Sequence, residues 1–364
     1  MHTQIITDRR ALHRIPELDR CLPKTMAYLR SQLEPLRCQV FSPTQGSVCA
    51  WFDFGADHAI GFRADCDALP IFEKTGAEFA STHEGKMHAC GHDGHMAIGL
   101  ELARRLNEKT CLPHNVLLVF QPAEETTGGA KPLCESGIFE TYHVTAIFGL
   151  HLWPGLTAGT VFSRKNELMA RTSELKIDIY GKSSHIAKPA EGLDALAAAV
   201  ALYTRARALE ASFPPHIYRL LNFGYFHSGT VRNAISNYTQ LQGTLRAFQD
   251  EVFFTLRDGL RAIGQQVAEE FGCRVDIDIN EGYPAVMNDP RLYDRVMAAA
   301  PFADLAEPTM TAEDFSFYQK RGDAMFFFLG LGDVPALHSD NFHFDETILL
   351  KGADFFEKLA ENFQ

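Results

Sequence analysis

Three continuous apolar runs of strand length, separated by helical stretches, constrain the fold more than any other feature of the sequence. They span residues 59–62, 116–120 and 146–150. Strands that are apolar throughout are buried on both faces, as in a parallel sheet covered by helices on both sides. A helical pattern at 96–106, with Asp93 as its expected N-cap, supplies part of that cover. These features predict an α/β domain with a mostly parallel sheet.

The middle of the chain has a different pattern, in which apolar and polar residues alternate as in half-buried strands. We predict an inserted, smaller α+β domain at residues 172–282, flanked by the two parts of the first domain, 1–171 and 283–364. Its expected strands and helices are 174–180, 195–209, 239–248, 254–271 and 275–279.

Charge and composition exclude several classes of protein. The chain has 34 Lys and Arg against 46 Asp and Glu, a net charge of −12 without a basic block, so we expect no nucleic-acid partner. No apolar run reaches the length of a membrane span, and residues 1–30 lack the apolar core of a signal peptide. Eight cysteines without a CxxC pair are typical of a reducing compartment. We therefore expect a cytoplasmic protein that does not enter membranes.

Polar side chains come directly after the apolar runs. Asp65 and Asp67 follow the first, Glu124 and Glu125 follow the second, and His151 follows the third. Ligands of open α/β sheets bind at the carboxyl ends of the strands, so these side chains are expected to converge in one crevice.

Residues 87–95, with the sequence MHACGHDGH, form the densest cluster of possible metal ligands. Imidazole and thiolate suit zinc and its first-row neighbours, although a solvated polar loop is the alternative. Glu124 and Glu125 are adjacent and would point in different directions, so that one could bind metal while the other faces substrate. Further histidines stand in GLHLWP and LHSDNFHFD. The donors collected in this way are Cys90, His92, Glu125, His151 and His338. This set fits two metal ions and a bridging water, with Glu124 left as general base.

Five ordered motifs, RADCDALP, HACGHD, QPAEE, GLHLWP and LHSDNFHFDE, resemble the metal-dependent amidohydrolase family of N-acyl amino acid deacylases. That family includes hippurate hydrolases, indoleacetyl-amino-acid hydrolases and N-acetyldiaminopimelate deacetylases, and it is related to aminoacylases and dinuclear zinc carboxypeptidases. The resemblance implies the same five ligands, with Cys90 often bridging the metals. It implies that Glu124 moves the proton, and that Asp67 and Asp65 orient a ligand or the base. Residues 313–316 match a further segment of the family, without an assigned role.

The inserted domain contributes two matching segments. In GKSSH, the resemblance implies that His185 polarises the scissile carbonyl. In GTVRNAI, it implies that Asn233 contacts the substrate, while Arg232 could pair with a substrate carboxylate or be an exposed lid arginine. The insert is a lid and a dimer surface in the family, which implies a homodimer. The chain departs from the family at Ala190, where a histidine usually follows the proline.

These observations lead us to expect hydrolysis of the amide bond of an N-acyl amino acid by metal-bound hydroxide, with Glu124 as general base. The cofactor is expected to be two divalent ions of zinc, manganese, nickel or cobalt. A dipeptidase or carboxypeptidase of the same fold is an alternative, and N-acetyldiaminopimelate deacetylation is a specific candidate. The alternative that is not an enzyme is a catalytically silent protein that binds a small acylated ligand.

Overall fold

The computed structural model describes residues 2–364 and divides into two compact units. The first unit contains the described residues up to Leu168, together with Met287–Pro308 and Asp314–Gln364. The second contains Met169–Val286 and Thr309–Glu313, where the sequence predicts an insert at 172–282. Among the described residues, no helix combines the length and the apolar character needed to cross a membrane.

The helices of the described chain are α1 (His2–His13), α2 (Pro23–Leu33), α3 (His92–Glu108), α4 (Ala130–Glu135), α5 (Ile138–Thr141), α6 (Ala195–Ala211), α7 (Asp250–Phe271), α8 (Pro290–Ala299), α9 (Ser316–Arg321) and α10 (Leu349–Asn362). Its strands are β1 (Gln39–Phe41), β2 (Val48–Phe52), β3 (Ala59–Asp65), β4 (Asn115–Gln121), β5 (Val144–Trp153), β6 (Val161–Ser163), β7 (Asn166–Met169), β8 (Arg171–Tyr180), β9 (Arg219–Ser228), β10 (Tyr238–Ala247), β11 (Arg274–Ile279), β12 (Val286–Asn288), β13 (Ala303–Asp304) and β14 (Asp323–Gly330).

The first unit is built on an eight-stranded sheet in the order β1-β2-β4-β3-β5-β14-β6-β13. Its centre is parallel, because β3 pairs in parallel with both β4 and β5, and β14 pairs in parallel with β5. Every residue of β3 and β4 is buried, which agrees with the apolar runs at 59–62 and 116–120 that these strands contain. The predicted fold class, a mostly parallel α/β domain with a smaller α+β domain inserted into it, is confirmed.

The second unit has a four-stranded antiparallel sheet in the order β11-β8-β10-β9. Apolar residues of α6 and α7, including Leu202 and Leu260, pack with sheet residues such as Ile177 and Leu241 in a separate core. Strand β9 was not predicted from the sequence. Only Leu221 is buried in this edge strand, so its sequence lacks the alternation that marked the other three.

Two local expectations near the predicted crevice were wrong. Asp93 is not the N-cap of α3, because the helix begins at His92. Its N-cap is Gly91, whose φ of 87° favours glycine. The Asp93 carboxylate is instead buried in the first turn, within 2.8 Å of both Arg9 Nε and His13 Nδ1. His151 does not follow its strand but lies inside it, because β5 extends to Trp153.

Candidate metal centre

The central parallel strands bring the predicted donor segments to one edge of the sheet. β3 ends at Asp65 and leads to Asp67, and its neighbour β4 leads to Glu124 and Glu125. On the other side of β3, β5 carries His151 near its carboxyl end. This is the arrangement in which open α/β sheets bind their ligands.

The possible ligand atoms form overlapping groups within which all atoms lie less than 4.8 Å apart. One group joins Cys90, Glu125 and His338, and a second joins His92 with Glu124 and Glu125. His338 Nε2 is 3.2 Å from Glu125 Oε1, and Cys90 Sγ is 3.4 Å from His151 Nε2. The structure therefore brings together all five residues that were predicted as ligands, and Glu124 lies in the group that contains His92.

The nitrogen of His92 that faces this cluster is suited to a metal. His92 Nδ1 donates a hydrogen bond to the backbone carbonyl of Asp67 at 2.8 Å, which leaves the lone pair on Nε2. Nε2 is buried and has no hydrogen-bond partner in the described part of the chain. Carboxylate oxygens of Asp65 and Glu125 lie 3.5 and 3.8 Å from it. A buried acceptor nitrogen among carboxylates fits a divalent cation.

Asp67 positions the two adjacent glutamates through their backbone. Its Oδ1 accepts a hydrogen bond from the amide of Glu124, and its Oδ2 accepts one from the amide of Glu125, both at 3.0 Å. The loop turns sharply just before them, since Ala123 has a φ of 60° that is uncommon for a residue with a Cβ. The Glu124 residue is only 7% exposed. One buried carboxylate thus fixes the backbone of both side chains.

His95 belongs to the site, although no role was predicted for it from the sequence. It donates from Nδ1 to Asp65 Oδ1, and its Nε2 accepts the backbone N–H of Leu152 at 2.9 Å. Because both ring nitrogens are used in this way, His95 holds the backbone beside His151 rather than offering a ligand. Its place in the motif MHACGHDGH was the available signal, since position i+3 on α3 puts it near His92.

The carboxylates of the cluster favour positive charge at two of its histidines, whereas burial lowers the pKa of His151. Burial opposes protonation of His92, yet the carboxylates of Asp65, Asp67 and Glu125 raise its pKa to about 10. The hydrogen bond to Glu125 likewise raises the pKa of His338. Burial raises the pKa of the Cys90 thiol well above its usual range, and the nearby carboxylates of Glu125 and Glu124 raise it further. Bound cations reverse this preference for protons, because they favour thiolate and neutral imidazole ligands.

His185, Arg232 and Asn233 lie together in the second unit. Residues 184–186 pair with residues 233–235: Ile186 N donates to the Asn233 carbonyl at 3.0 Å, and Ile235 N donates to the Ser184 carbonyl at 2.9 Å. His185 is exposed, and its Nδ1 accepts the amide of Ala187 at 3.1 Å. In the neutral ring the proton is therefore on Nε2, which is left to donate.

Comparison with known proteins shows the family of the chain. Residues 61–362 match the peptidase family M20/M25/M40. An uncharacterized hydrolase of Staphylococcus haemolyticus is 34% identical over 370 residues, covering 98% of this chain and 97% of the relative. The solved structure of the YXEP protein of Bacillus subtilis, described as a dinuclear metal-binding peptidase from the M20 family, is 31% identical with a TM-score of 0.86, covering 99% and 97% of the two chains.

The fold and the cluster define a metal-dependent hydrolase. The chain belongs to the peptidase family M20/M25/M40, and the resemblance to the metal-dependent amidohydrolases is confirmed. A tripeptidase of Staphylococcus aureus, 14% identical with a TM-score of 0.78 and covering 99% and 98% of the two chains, shares the fold.

Proposed function

We propose that the protein hydrolyses the amide bond of N-acyl amino acids at a centre of two divalent metal ions. The observation that carries this proposal is the pair Glu124–Glu125, whose backbone Asp67 holds: both carboxylates group with His92, but only Glu125 also groups with Cys90 and His338. A binding protein has no need of this second carboxylate. The proposed ligands are Cys90, His92, Glu125, His151 and His338.

The proposed mechanism divides the work between this chain's side chains and the cofactor. Two bound ions of zinc, manganese, nickel or cobalt would supply an activated water and a Lewis acid for the carbonyl. Glu124 removes the proton from the attacking water and returns it to the leaving amine. His185 donates from Nε2 to the carbonyl oxygen as negative charge develops there. Asp67 holds Glu124 and orients His92.

A half-open cavity in the second unit supports a substrate with a carboxylate. It has a volume of about 420 Å³, and Ile186, Leu196 and Val231 supply apolar wall beside Arg232. Arg232 is exposed and forms no ion pair within the described residues, so its guanidinium is available for a bidentate contact with the amino-acid carboxylate. Asn233 follows it on the same segment and is proposed to contact the substrate. Replacing Arg232 by glutamine is expected to raise KM more than it lowers kcat.

The test is release of free amino acid, detected with ninhydrin, from N-acetyl and N-benzoyl amino acids and from dipeptides. Each substrate is run with Mn²⁺ or Zn²⁺ and again with chelator. Glu124→Gln is expected to lower kcat by about 10²–10⁴-fold while metal content is unchanged. Glu135→Gln, an exposed glutamate at the end of α4, is the matched control. Turnover by Glu124→Gln at the wild-type rate would refute the assigned role.

A peptidase is the second candidate, because the Bacillus subtilis relative is described as one. Release from dipeptides alone would favour a dipeptidase or carboxypeptidase, and release of diaminopimelate from its N-acetyl derivative would favour that specific deacetylase. Metal binding without turnover on any substrate would leave a small-ligand binding protein. The Ala190 position, exposed on a short 3₁₀ turn at Pro189–Glu191, is where acyl or amino-acid preference is expected to differ from relatives.

We also propose a homodimer formed through the second unit. Leu196, Val200 and Tyr203 form an exposed apolar stripe on α6, and Tyr225 and Phe226 are exposed on the edge strand β9. Such a stripe beside an open strand edge is typical of an interface between copies. Light scattering after gel filtration is expected to show a dimer that Val200→Glu dissociates and Gln265→Glu, on α7, does not.

The cytoplasm is the proposed location, supported by eight free cysteines, a usage typical of a reducing compartment. Cell fractionation tests it, and recovery of the protein with secreted proteins would contradict it.

A further inference from the structure

Arg63, on β3, is a buried residue whose guanidinium holds three side chains of the first unit. The residue is 2% exposed. Its Nη1 donates to Asp65 Oδ2 at 2.7 Å, its Nη2 donates to Asp314 Oδ1 at 2.9 Å, and its Nε donates to Gln121 Oε1 at 2.9 Å. Each of the three guanidinium nitrogens therefore donates a hydrogen bond to a different side chain.

A first series of hydrogen bonds runs from Arg63 through Asp65 toward the histidine ligands. Asp65, held by Arg63, accepts a hydrogen bond from His95, and His95 in turn holds the amide of Leu152. Leu152 follows His151 directly in β5. The second oxygen of Asp65 is also 3.5 Å from His92 Nε2. Arg63 is thus connected by hydrogen bonds to the backbone beside His151, and the Asp65 oxygen that it holds also faces His92.

A second series of hydrogen bonds runs from Arg63 through Asp314 to the loop that contains Glu124 and Glu125. Asp314 Oδ2 accepts the backbone amides of Gly129 at 2.8 Å and Ala130 at 2.9 Å, where the loop ends. Gln121, at the start of the loop, donates from Nε2 to both oxygens of Asp314 at 2.9 Å. Both ends of the loop are therefore fixed to one carboxylate, and that carboxylate is held by Arg63.

We propose that Arg63 is a positioning residue that sets the distance between the histidine ligands and the glutamate loop of the metal centre. The planar guanidinium presents three nitrogens in fixed directions, so it can define the relative positions of Asp65, Asp314 and Gln121. A lysine carries the same charge on a single flexible nitrogen and cannot hold all three. The sequence assigned no role to Asp314, and its contacts give it one here.

The proposal rests on the metal centre proposed above, so the experiment measures metal binding directly. Binding of Mn²⁺ and of Zn²⁺ to purified wild-type protein, Arg63→Lys and Asp314→Asn is followed by equilibrium dialysis and elemental analysis. Asp314→Asn can keep one oxygen for the amides of Gly129 and Ala130 while it turns an NH₂ group toward Arg63. Both variants are expected to weaken metal binding by about 10-fold, the lower end of the range for residues that support ligands from outside. Added metal is expected to restore occupancy, with kcat reduced and KM within twofold of wild type.

Arg105→Lys is the matched control. Arg105 also contacts three side chains, those of Glu101, Asp354 and Glu357, and its side chain is 14% exposed. None of these belongs to the donor cluster, so the control is expected to bind metal like wild type.

Metal affinities of Arg63→Lys and Asp314→Asn within twofold of wild type would overturn the proposal. Wild-type protein that binds no metal would instead refute the metal centre itself. If Arg63→Lys does not fold, Asp314→Asn decides. If neither folds while Arg105→Lys does, Arg63 is purely structural and the proposal is wrong.

Discussion

Replacing His88 by leucine measures how strongly a buried imidazole makes the first unit sensitive to acid. The residue is 1% exposed, and neither ring nitrogen has a hydrogen-bond partner in the described part of the chain. Burial lowers the pKa of His88 to about 3, in spite of the opposing charge of Asp93. The positive charges of His13, His92 and Arg9 act in the same direction as burial.

The sign and size of the effect follow from proton linkage. In the unfolded chain the imidazole titrates near pH 6.5, whereas in the folded protein it stays neutral down to about pH 3. As the pH falls below 6.5, the unfolded state takes up a proton that the folded state does not, so the free energy of unfolding decreases. At pH 5 the loss is about 2 kcal/mol, because the unfolded histidine is almost fully protonated there and the folded one is not.

Urea denaturation of chelator-treated protein at pH 7 and pH 5 measures this loss. His88→Leu is expected to be more stable than wild type by about 1 kcal/mol at pH 7, since it removes two unpaired polar atoms. The difference is expected to widen by about 2 kcal/mol at pH 5. His143→Asn is the control, because that histidine is exposed and asparagine tolerates its φ of 48°. A difference between wild type and His88→Leu that is the same at both pH values would refute the reasoning.

Three further predictions concern the glutamate loop and its cofactor. Gly129→Ala places a Cβ 1.9 Å from the Pro122 carbonyl oxygen, so the substitution is expected to displace the loop. Metal content and activity are both expected to fall at least 10-fold. Wild-type values in elemental analysis and in turnover would contradict this expectation. Ala123→Gly removes the Cβ from a residue with left-handed backbone, so it is expected to raise the free energy of unfolding by up to about 1 kcal/mol. Urea denaturation measures this change, and a lower free energy of unfolding would show that the backbone of Ala123 is not strained. Chelator is expected to abolish turnover and lower Tm, with Mn²⁺ or Zn²⁺ restoring both; a Tm that does not change would mean that metal does not stabilise the fold.

The sequence predicted what local chemistry determines. The apolar runs predicted the central strands, because burial on both faces favours apolar residues along most of each strand. The ligand types in MHACGHDGH and QPAEE predicted the donor cluster. The hydrogen bonds around Arg63 could not be predicted from local sequence. Asp314 is 193 positions from Gln121 and 251 from Arg63, and only tertiary packing brings the three together.

Two other features were also not predicted from the sequence. His95 was counted among possible ligands, but its role depends on which groups occupy its two nitrogens, and those groups come from β3 and β5. β9 escaped detection because an exposed edge strand needs no regular apolar face. Sequence patterns report burial and chemical type, whereas hydrogen-bond partners depend on the assembled fold.

The second unit interrupts the first in the sequence, and this affects the order in which the metal centre can be assembled during synthesis. Cys90, His92, Glu125 and His151 all precede the second unit in the chain, but His338 follows it. β14, which completes the parallel centre of the sheet, also comes afterwards. A nascent chain therefore holds four of its five donors while more than a hundred residues of the second unit are still being made. The side chain of His338 is 52% exposed, so the donor synthesised last is also the outermost one. We expect a newly made molecule to acquire metal in two stages, with the histidine from the distal segment closing the centre last.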